Sequence, residues 1–174
     1  QERAPGAVDA GVLMGKTLRI VPFADARPAA ERDAVGSRGA GRIRSEDPVD
    51  AFSTVVAQAT LADWGLTFVP TGGDYVLAAE VTRFFVVEDA GYAAEVELRA
   101  RFTAAGGPVW EGTIVGQARA GGRPGKEALD LVALTGALRQ ALAKIVTDDR
   151  LQRALASGRP APAAAAHPTA ATPP

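Results

Sequence analysis

Side chains able to do covalent or metal chemistry are scarce in this chain of 174 residues. It has no cysteine, and its one histidine, His167, lies in a Pro/Ala-rich tail. These counts exclude disulfides, thiol catalysis and Cys/His zinc sites, and they remove histidine acid–base catalysis from the folded part. Ser53 and Thr54 fall in a predicted helix without a histidine to activate them, which excludes a serine triad. A metal site made of carboxylates alone stays open, and no cofactor is predicted.

Charged residues of both signs alternate along two neighbouring predicted strands. A pair of such carboxylates is what a glycosidase uses as general acid and nucleophile. Alternation of both signs is more typical of a solvated sheet face that also resists edge-to-edge pairing. We therefore predict no catalytic residue here and expect a surface for a partner. The charged residues are Glu95, Glu97, Arg99, Arg101 and Glu111, of which Arg99, Arg101 and Glu111 are the predicted contacts.

A glycine-rich segment, residues 36–42, looks like a phosphate-binding loop. It lacks the Gly-Lys-Ser/Thr ending of a Walker loop and the strand–GxGxxG–helix context of a dinucleotide site. The longer segment 24–47 that contains it is predicted to be a loop that is either functional or disordered. Arg38 within this segment is a further candidate contact for a partner.

Two other places in the sequence suggest contacts with a partner. Asp25 and Arg27 follow the first predicted strand, where they either offer a polar contact at the end of the sheet or form a local salt bridge or turn cap. Phe84 and Val86 are predicted on the wet side of their strand and would form an apolar patch for a partner. Alternatively, segment 24–47 covers that end of the strand.

Three long runs of strand-like residues must position these groups, at 74–88, 92–104 and 109–120. In the middle run apolar and charged residues alternate, which indicates a sheet with one buried and one wet face. Tight turns between the runs set the pairing. The predicted cross-strand neighbours are Val87 and Tyr92, Val81 and Leu98, Leu98 and Ile114, Phe102 and Trp110, and Arg101 and Glu111.

Helices flank these strands in the sequence. Periodicity predicts helices at 48–64 and 126–146, followed by a short helix that Thr147 or Asp148 caps. With short strands at 17–23 and 66–69, the order is strand, helix, four strands and two helices. This order predicts an α+β fold: a two-layer sandwich of an antiparallel meander sheet with two main helices packed on one face.

A single α+β domain is predicted over 16–156. Residues 1–15 are expected to be a flexible lead-in, and 157–174 a disordered Pro/Ala-rich tail. Lys and Arg (19) nearly balance Asp and Glu (20), so we predict no nucleic-acid partner. No run approaches the roughly 18–20 apolar residues of a membrane span. Since the chain begins at Gln1, we expect either a removed leader or a start inside a longer protein.

A series of short motifs runs through residues 16–156. They are Asp25-Ala26-Arg27, Val35-Gly36, Leu61-Ala62-Asp63-Trp64-Gly65-Leu66, Tyr75–Val81, Gly107-Pro108-Val109-Trp110, Ala128–Leu142 and Thr147-Asp148-Asp149-Arg150-Leu151. In order and spacing they resemble the YajG-like family of bacterial lipoproteins. The resemblance implies lipidation on an N-terminal cysteine that this chain lacks, and attachment to the periplasmic side of the outer membrane. It supplies no catalytic residue. Auxiliary lipoproteins of ABC-type transport systems and TolB amino-terminal domains are similar more distantly.

We therefore predict a non-enzymatic, lipid-anchored envelope domain that binds another envelope protein, with the membrane contacted only through the lipid. The alternative is a carrier of a small hydrophobic ligand, or the auxiliary lipoprotein of an ABC-type transport system. A carrier would hold its ligand in an apolar pocket between sheet and helices. The predicted lining is Trp64, Tyr75, Phe85, Phe102 and Trp110.

Overall fold

The computed structural model describes residues 11–122 and 127–157. This part of the chain has an α+β fold of eight strands and three α-helices, together with two short 3₁₀ turns at Gly11–Leu13 and Ala29–Glu31. The strands are β1 (Thr17–Ile20), β2 (Ala24–Asp25), β3 (Gly36–Arg38), β4 (Gly41–Ile43), β5 (Thr67–Phe68), β6 (Tyr75–Glu88), β7 (Tyr92–Ala104) and β8 (Gly107–Ala120), and the helices are α1 (Val49–Asp63), α2 (Glu127–Val146) and α3 (Asp149–Ser157).

Strand β6 is the central strand of one mixed sheet. On one side of it, β7 and then β8 form the predicted antiparallel meander. On its other side, β1, β2 and β3 pair with it in parallel, one after another along its length. β5 extends the sheet beyond β1, and β4 extends it beyond β3. The sheet is curled into a half-barrel, so the predicted plain antiparallel sandwich is wrong in this respect.

A β-bulge at Thr82 divides β6 into two halves of opposite phase. Before it, Val81 faces Leu98 of β7 as predicted, but after it Glu88, not Val87, faces Tyr92. The extra residue turns every later side chain to the other face of the sheet. Phe84 therefore lies in the core, 3% exposed and edge-to-face with Phe52 of α1 at 5.8 Å, and its predicted place on the wet face is wrong.

The pairing of β7 with β8 follows the prediction. Phe102 faces Trp110, Leu98 faces Ile114, and Arg101 faces Glu111. The inner face of the sheet carries the apolar residues, and the helices pack on this face. Of the predicted stripe on α2, Leu134, Leu138, Leu142 and Ile145 are buried, whereas Leu131 is half exposed.

Helix α2 packs closely on β8 because small residues face each other. A Cβ atom on Gly116 would lie 2.0 Å from the carbonyl oxygen of Ala137, and one on Gly136 would lie 2.9 Å from the Cβ of Ala118. Two polar side chains of α2 also reach the outer edge of β8. Gln140 accepts a hydrogen bond from the N–H of Gln117, and Lys144 donates one to the carbonyl of Val115. These contacts protect the middle of the edge strand.

Segment 24–47 is not a loop. It contains β2, the turn at Ala29–Glu31 and a β3–β4 hairpin, whose tip at Gly39 has a φ of 55°. The glycines that resembled a phosphate loop are thus hairpin residues. In the predicted flexible lead-in, the turn Gly11–Leu13 contacts α3, and Leu13 is buried. Residues 1–10 and the predicted tail 158–174 lie outside the described residues.

The start of α3 confirms the predicted cap. One carboxylate oxygen of Asp148 accepts the backbone N–H groups of Arg150 at 2.7 Å and Leu151 at 3.2 Å. Burial tends to raise the pKa of Asp148, but hydrogen bonds from the Arg150 side chain and from these two N–H groups outweigh it and lower that pKa overall.

Candidate functional site: the outer face of the sheet

The outer face of the sheet is the face opposite the helices. Register places its side chains in rows that cross the strands at right angles. Nearest the end of β6, the row is Arg42, Ser37, Val87, Ala93 and Arg119, from β4, β3, β6, β7 and β8 respectively. Further rows toward the start of β6 contain Phe85 with Glu95 and Gln117, Arg83 with Glu97 and Val115, Glu80 with Arg99 and Thr113, and Ala78 with Arg101 and Glu111.

Most charges on the outer face are paired across strands. Arg99 contacts Glu80 at 3.0 Å, and Arg101 contacts Glu111 at 3.0 Å, so all three residues predicted to meet a partner here are on one exposed surface. Exposed pairs of this kind contribute about 0–1 kcal/mol each. They hold the side chains in place without sealing them from solvent. The arrangement suits recognition of a partner more than chemistry, because the carboxylates are spread over the open outer face and are not gathered in a cleft.

Arg83 and Glu95 form a third cross-strand pair, at 2.5 Å. The guanidinium of Arg83 also lies over the ring of Phe85, 5.9 Å from its centroid. Each arginine in these pairs is more exposed than its carboxylate: 57% against 46% for Arg99 and Glu80, and 49% against 35% for Arg83 and Glu95. The guanidinium groups are therefore the outermost charges of this face.

Arg27 is not a contact for a partner, because its side chain is only 2% exposed. Its guanidinium donates two hydrogen bonds to Asp25, at 2.9 and 2.8 Å, and others to the carbonyls of Glu31, Arg32 and Ala34. The side-chain hydrogen bond from Arg27 lowers the pKa of Asp25. The local salt bridge is thus the correct one of the two interpretations, and it holds the chain between β2 and β3 in shape.

Arg38 belongs to a polar cluster at the end of the sheet that sequence analysis missed. Its Nε donates to the buried carboxylate of Glu88, and its NH2 lies 3.9 Å from Asp130 of α2, which is also buried. The hydrogen bond to Glu88 raises the pKa of Arg38. The cluster joins β3, β6 and α2. The sequence did carry a signal for this cluster. Asp130 is a carboxylate four residues before Leu134, and so it lies on the apolar stripe of α2.

The aromatic residues of the predicted carrier pocket do not line a common cavity. Phe102 and Trp110 pack edge-to-face at 6.4 Å within the core, whereas Phe85 points to the opposite face of the sheet. A groove of about 510 Å³ lies instead on the outside of α3, beside Gln152 and Arg153. Among the described residues no group of three potential ligands could hold a metal ion, and no helix is long and apolar enough to cross a membrane.

A second groove, of about 270 Å³, opens on the outer face beside the β3–β4 hairpin. Its floor is Phe85, and its walls are mostly glycine and alanine from segment 30–42, with Glu31 and Arg42 among them. The guanidinium of Arg42 is bound to Asp33 by contacts of 3.0 and 2.8 Å. Val87, 44% exposed, lies in the next row beyond Phe85. Sequence analysis missed this groove because it assigned Phe85 to the core.

Comparison with known proteins finds similar folds but no close relative. The sequence matches no protein-family model, and no curated protein is significantly similar to it. The hypothetical protein CT253 from Chlamydia trachomatis is 12% identical, with 81% of this chain and 98% of that chain aligned at a TM-score of 0.50. This likeness shows a shared fold.

Two other solved structures are similar at lower scores. Protein XCC0632 from Xanthomonas campestris, described as DUF330, is 20% identical, with 82% of this chain and 86% of that chain aligned at a TM-score of 0.49. A minor lipoprotein from Acinetobacter baumannii is 9% identical, with 79% of this chain and 94% of that chain aligned at a TM-score of 0.41.

Proposed function

We propose that this chain is a non-enzymatic domain of a cell-envelope lipoprotein, and that it binds another envelope protein through the outer face of its sheet. The observation that supports the binding surface is the contrast between the two faces. In the described part of the chain all three helices pack on the inner face. The outer face is an ordered surface of cross-strand ion pairs, among them those of Arg99 and of Arg101 with Glu111.

The proposed location in the cell envelope rests on the sequence resemblance to YajG-like lipoproteins. It implies a cysteine upstream of Gln1, in a lipobox, which becomes the lipidated N-terminal residue once the signal is removed. Sequencing the gene upstream of the Gln1 codon tests this part of the proposal. A leader with a cysteine in a lipobox supports the anchor, and a leader without one contradicts it.

Site-specific photo-crosslinking tests the binding surface. Thr113 is exposed on β8 in the same row as Arg99, and it can be replaced by a photoreactive amino acid without breaking an ion pair. The matched control is Gln58, which is exposed on α1. In membranes from cells that make the full-length protein, we expect one discrete adduct with an envelope protein from position 113 and none from position 58. Equal adducts from both positions, or none from position 113, would contradict the proposal.

A further inference from the structure

The solvent side of the helix layer, opposite the sheet, carries a concentration of apolar side chains. Five large apolar residues are exposed in the described part of the chain, and three of them lie on this side. They are Val55 on α1 and Leu131 and Val132 on α2, and each is at least half exposed. Apolar surface gathered in this way on a folded domain commonly marks a contact with another molecule.

This side of the helix layer also lacks charge. The stretches 51–62 and 128–138 contain one charged residue, Asp130, and its side chain is buried. Their other exposed positions are small or uncharged: Ala51, Gln58, Ala59, Ala62 and Ala128. A surface helix normally turns charged or polar residues to solvent, and a helix that is apolar all round is normally buried. We therefore expect something to cover the solvent side of α1 and α2.

Helices α1 and α2 lie side by side and run in the same direction. Both begin beside the second half of β6, where Phe52 of α1 packs on that strand and Asp130 of α2 lies 3.9 Å from Arg38. Further along, Asp63 at the end of α1 forms an ion pair with Arg139 of α2 at 3.3 Å. This pair is exposed and closes one end of the apolar surface.

The surface is complementary to a copy of itself. Val55 comes eight residues before Asp63, and Leu131 comes eight residues before Arg139. Equal steps of about 12 Å along two parallel helices bring Val55 and Leu131 to the same level. A two-fold axis along the line between the helices would lay α1 of one copy on α2 of the other. Val55 would then meet Leu131 of the second copy, and Asp63 would meet Arg139 of the second copy, twice over.

A lipid surface matches this side of the helix layer less well than a second copy does. Helices that lie on membranes carry Lys and Arg beside their apolar face. The stretches 51–62 and 128–138 contain neither, and Arg139, the next residue of α2, is already paired with Asp63. One acidic and one basic group at the end of an apolar surface suit a partner with the same two groups.

We propose that two copies of this chain associate through α1 and α2, about a two-fold axis parallel to the two helices. The outer face of the sheet stays accessible in such a dimer, so this inference goes beyond the proposed function and does not depend on it. Five residues turn an α-helix by about 140°, which places Gln58 on the flank of α1 away from Asp63 and α2. Gln58 therefore remains outside the contact.

Sedimentation equilibrium of charge-reversed variants tests the pairing of the two copies. The wild-type chain should form a dimer in a concentration-dependent manner. Asp63→Arg and Arg139→Asp should each weaken self-association about tenfold or more, because like charges then face each other in both halves of the contact. An equimolar mixture of the two variants should restore the dimer, since every arginine then faces an aspartate of the other chain. The ion pair within one chain cannot produce this rescue.

A second set of variants tests the apolar surface and the direction of the axis. Leu131→Glu should abolish the dimer, whereas Val87→Glu, an equivalent change on the outer face of the sheet, should leave it intact. The sequence has no cysteine, so single cysteines report proximity. On mild oxidation, a mixture of Val55→Cys and Leu131→Cys chains should give the mixed disulfide in excess over both symmetric ones. Thermal melts show that each variant is folded.

Several results would overturn the inference. A wild-type chain that stays monomeric would do so, as would a dimer that Leu131→Glu leaves intact. An excess of the symmetric Val55→Cys disulfide would lay α1 on α1 and refute the proposed axis. Binding to vesicles of anionic phospholipid that Leu131→Glu abolishes, without a dimer, would assign this surface to a membrane. Crosslinking from Thr113 tests the proposed function separately, because Thr113 lies on the opposite face of the sheet.

Discussion

The effect of Gly136→Ala on stability should depend on the residue that faces it on β8, and it should change sign when that residue is changed. In an open helix the substitution stabilises by about 0.8–1.0 kcal/mol, because alanine loses less backbone entropy on folding. Here the new Cβ would lie 2.9 Å from the Cβ of Ala118, which is a short and rigid side chain. Overpacking of this kind costs about 1–3 kcal/mol, so Gly136→Ala should be neutral or destabilising by up to about 2 kcal/mol.

The second substitution of the cycle is Ala118→Gly, which removes the opposing methyl group. In that background Gly136→Ala should stabilise by its full helix propensity, about 1 kcal/mol. The coupling energy between the two sites is then about 1–3 kcal/mol. Since urea slopes are about 1–3 kcal/mol per molar, this corresponds to a relative shift of the midpoint of about 1 M.

Urea unfolding followed by both far-UV circular dichroism and tryptophan fluorescence measures this coupling, because Trp64 and Trp110 are both buried. Gly106→Ala is the matched control, since a Cβ atom there would meet no atom within 4 Å. It should give the same small change whether residue 118 is alanine or glycine. If Gly136→Ala stabilises equally in both backgrounds, α2 and β8 are not in the close contact described.

Four further predictions follow from single contacts. Ser53→Ala should stabilise by about 1 kcal/mol, raising the Tm by about 2–4 °C, because the buried Ser53 hydroxyl has no hydrogen-bond partner among the described residues; a lower Tm would contradict this. Arg27→Ala should destabilise by about 3 kcal/mol or more in urea, since it leaves a carboxylate and three carbonyls without their donor; a loss under about 1 kcal/mol would show that the guanidinium does not organise this segment. Since folding lowers the pKa of Asp148 from about 3.9, its contribution is complete above that pH and is lost as the pH falls below it; Asp148→Asn should therefore lose less stability than the wild type between about pH 5 and 2, and an unchanged pH profile would refute this. Gln140→Ala combined with Lys144→Ala should expose the edge of β8 and cause concentration-dependent association in sedimentation velocity. If the double variant associates no more than the wild type, these two side chains do not protect the edge.

The sequence was most informative where one simple period held throughout. Strand β7 alternates without interruption, and the three cross-strand pairs predicted between it and β8 are all present. On α2, four of the five predicted stripe residues are buried. In both cases each side chain's place depends only on its neighbours in the same element, so periodicity alone suffices.

The candidate groove was hidden by the bulge in β6. A single extra residue at Thr82 exchanges the two faces, which moves Phe84 into the core and Phe85 to solvent. The adjacent polar residues Thr82 and Arg83, followed by a change in the phase of the apolar residues, were the only local signal. The short strands β2, β3 and β4 were also missed, because they are held by long-range pairing with β6 and not by their own propensity.

The parallel pairing of β1, β2 and β3 with β6 has a consequence for synthesis of the chain. Each of these strands meets β6 only about 50–57 residues later in the sequence, as Leu18 does with Tyr75 and Gly36 with Val86. At a translation rate of about 5–20 residues per second, a nascent chain emerging from the ribosome keeps these strands unpaired with β6 for roughly 3–10 s. Productive folding therefore begins only after β6 is available, and a chaperone that binds extended segments would have that interval in which to act.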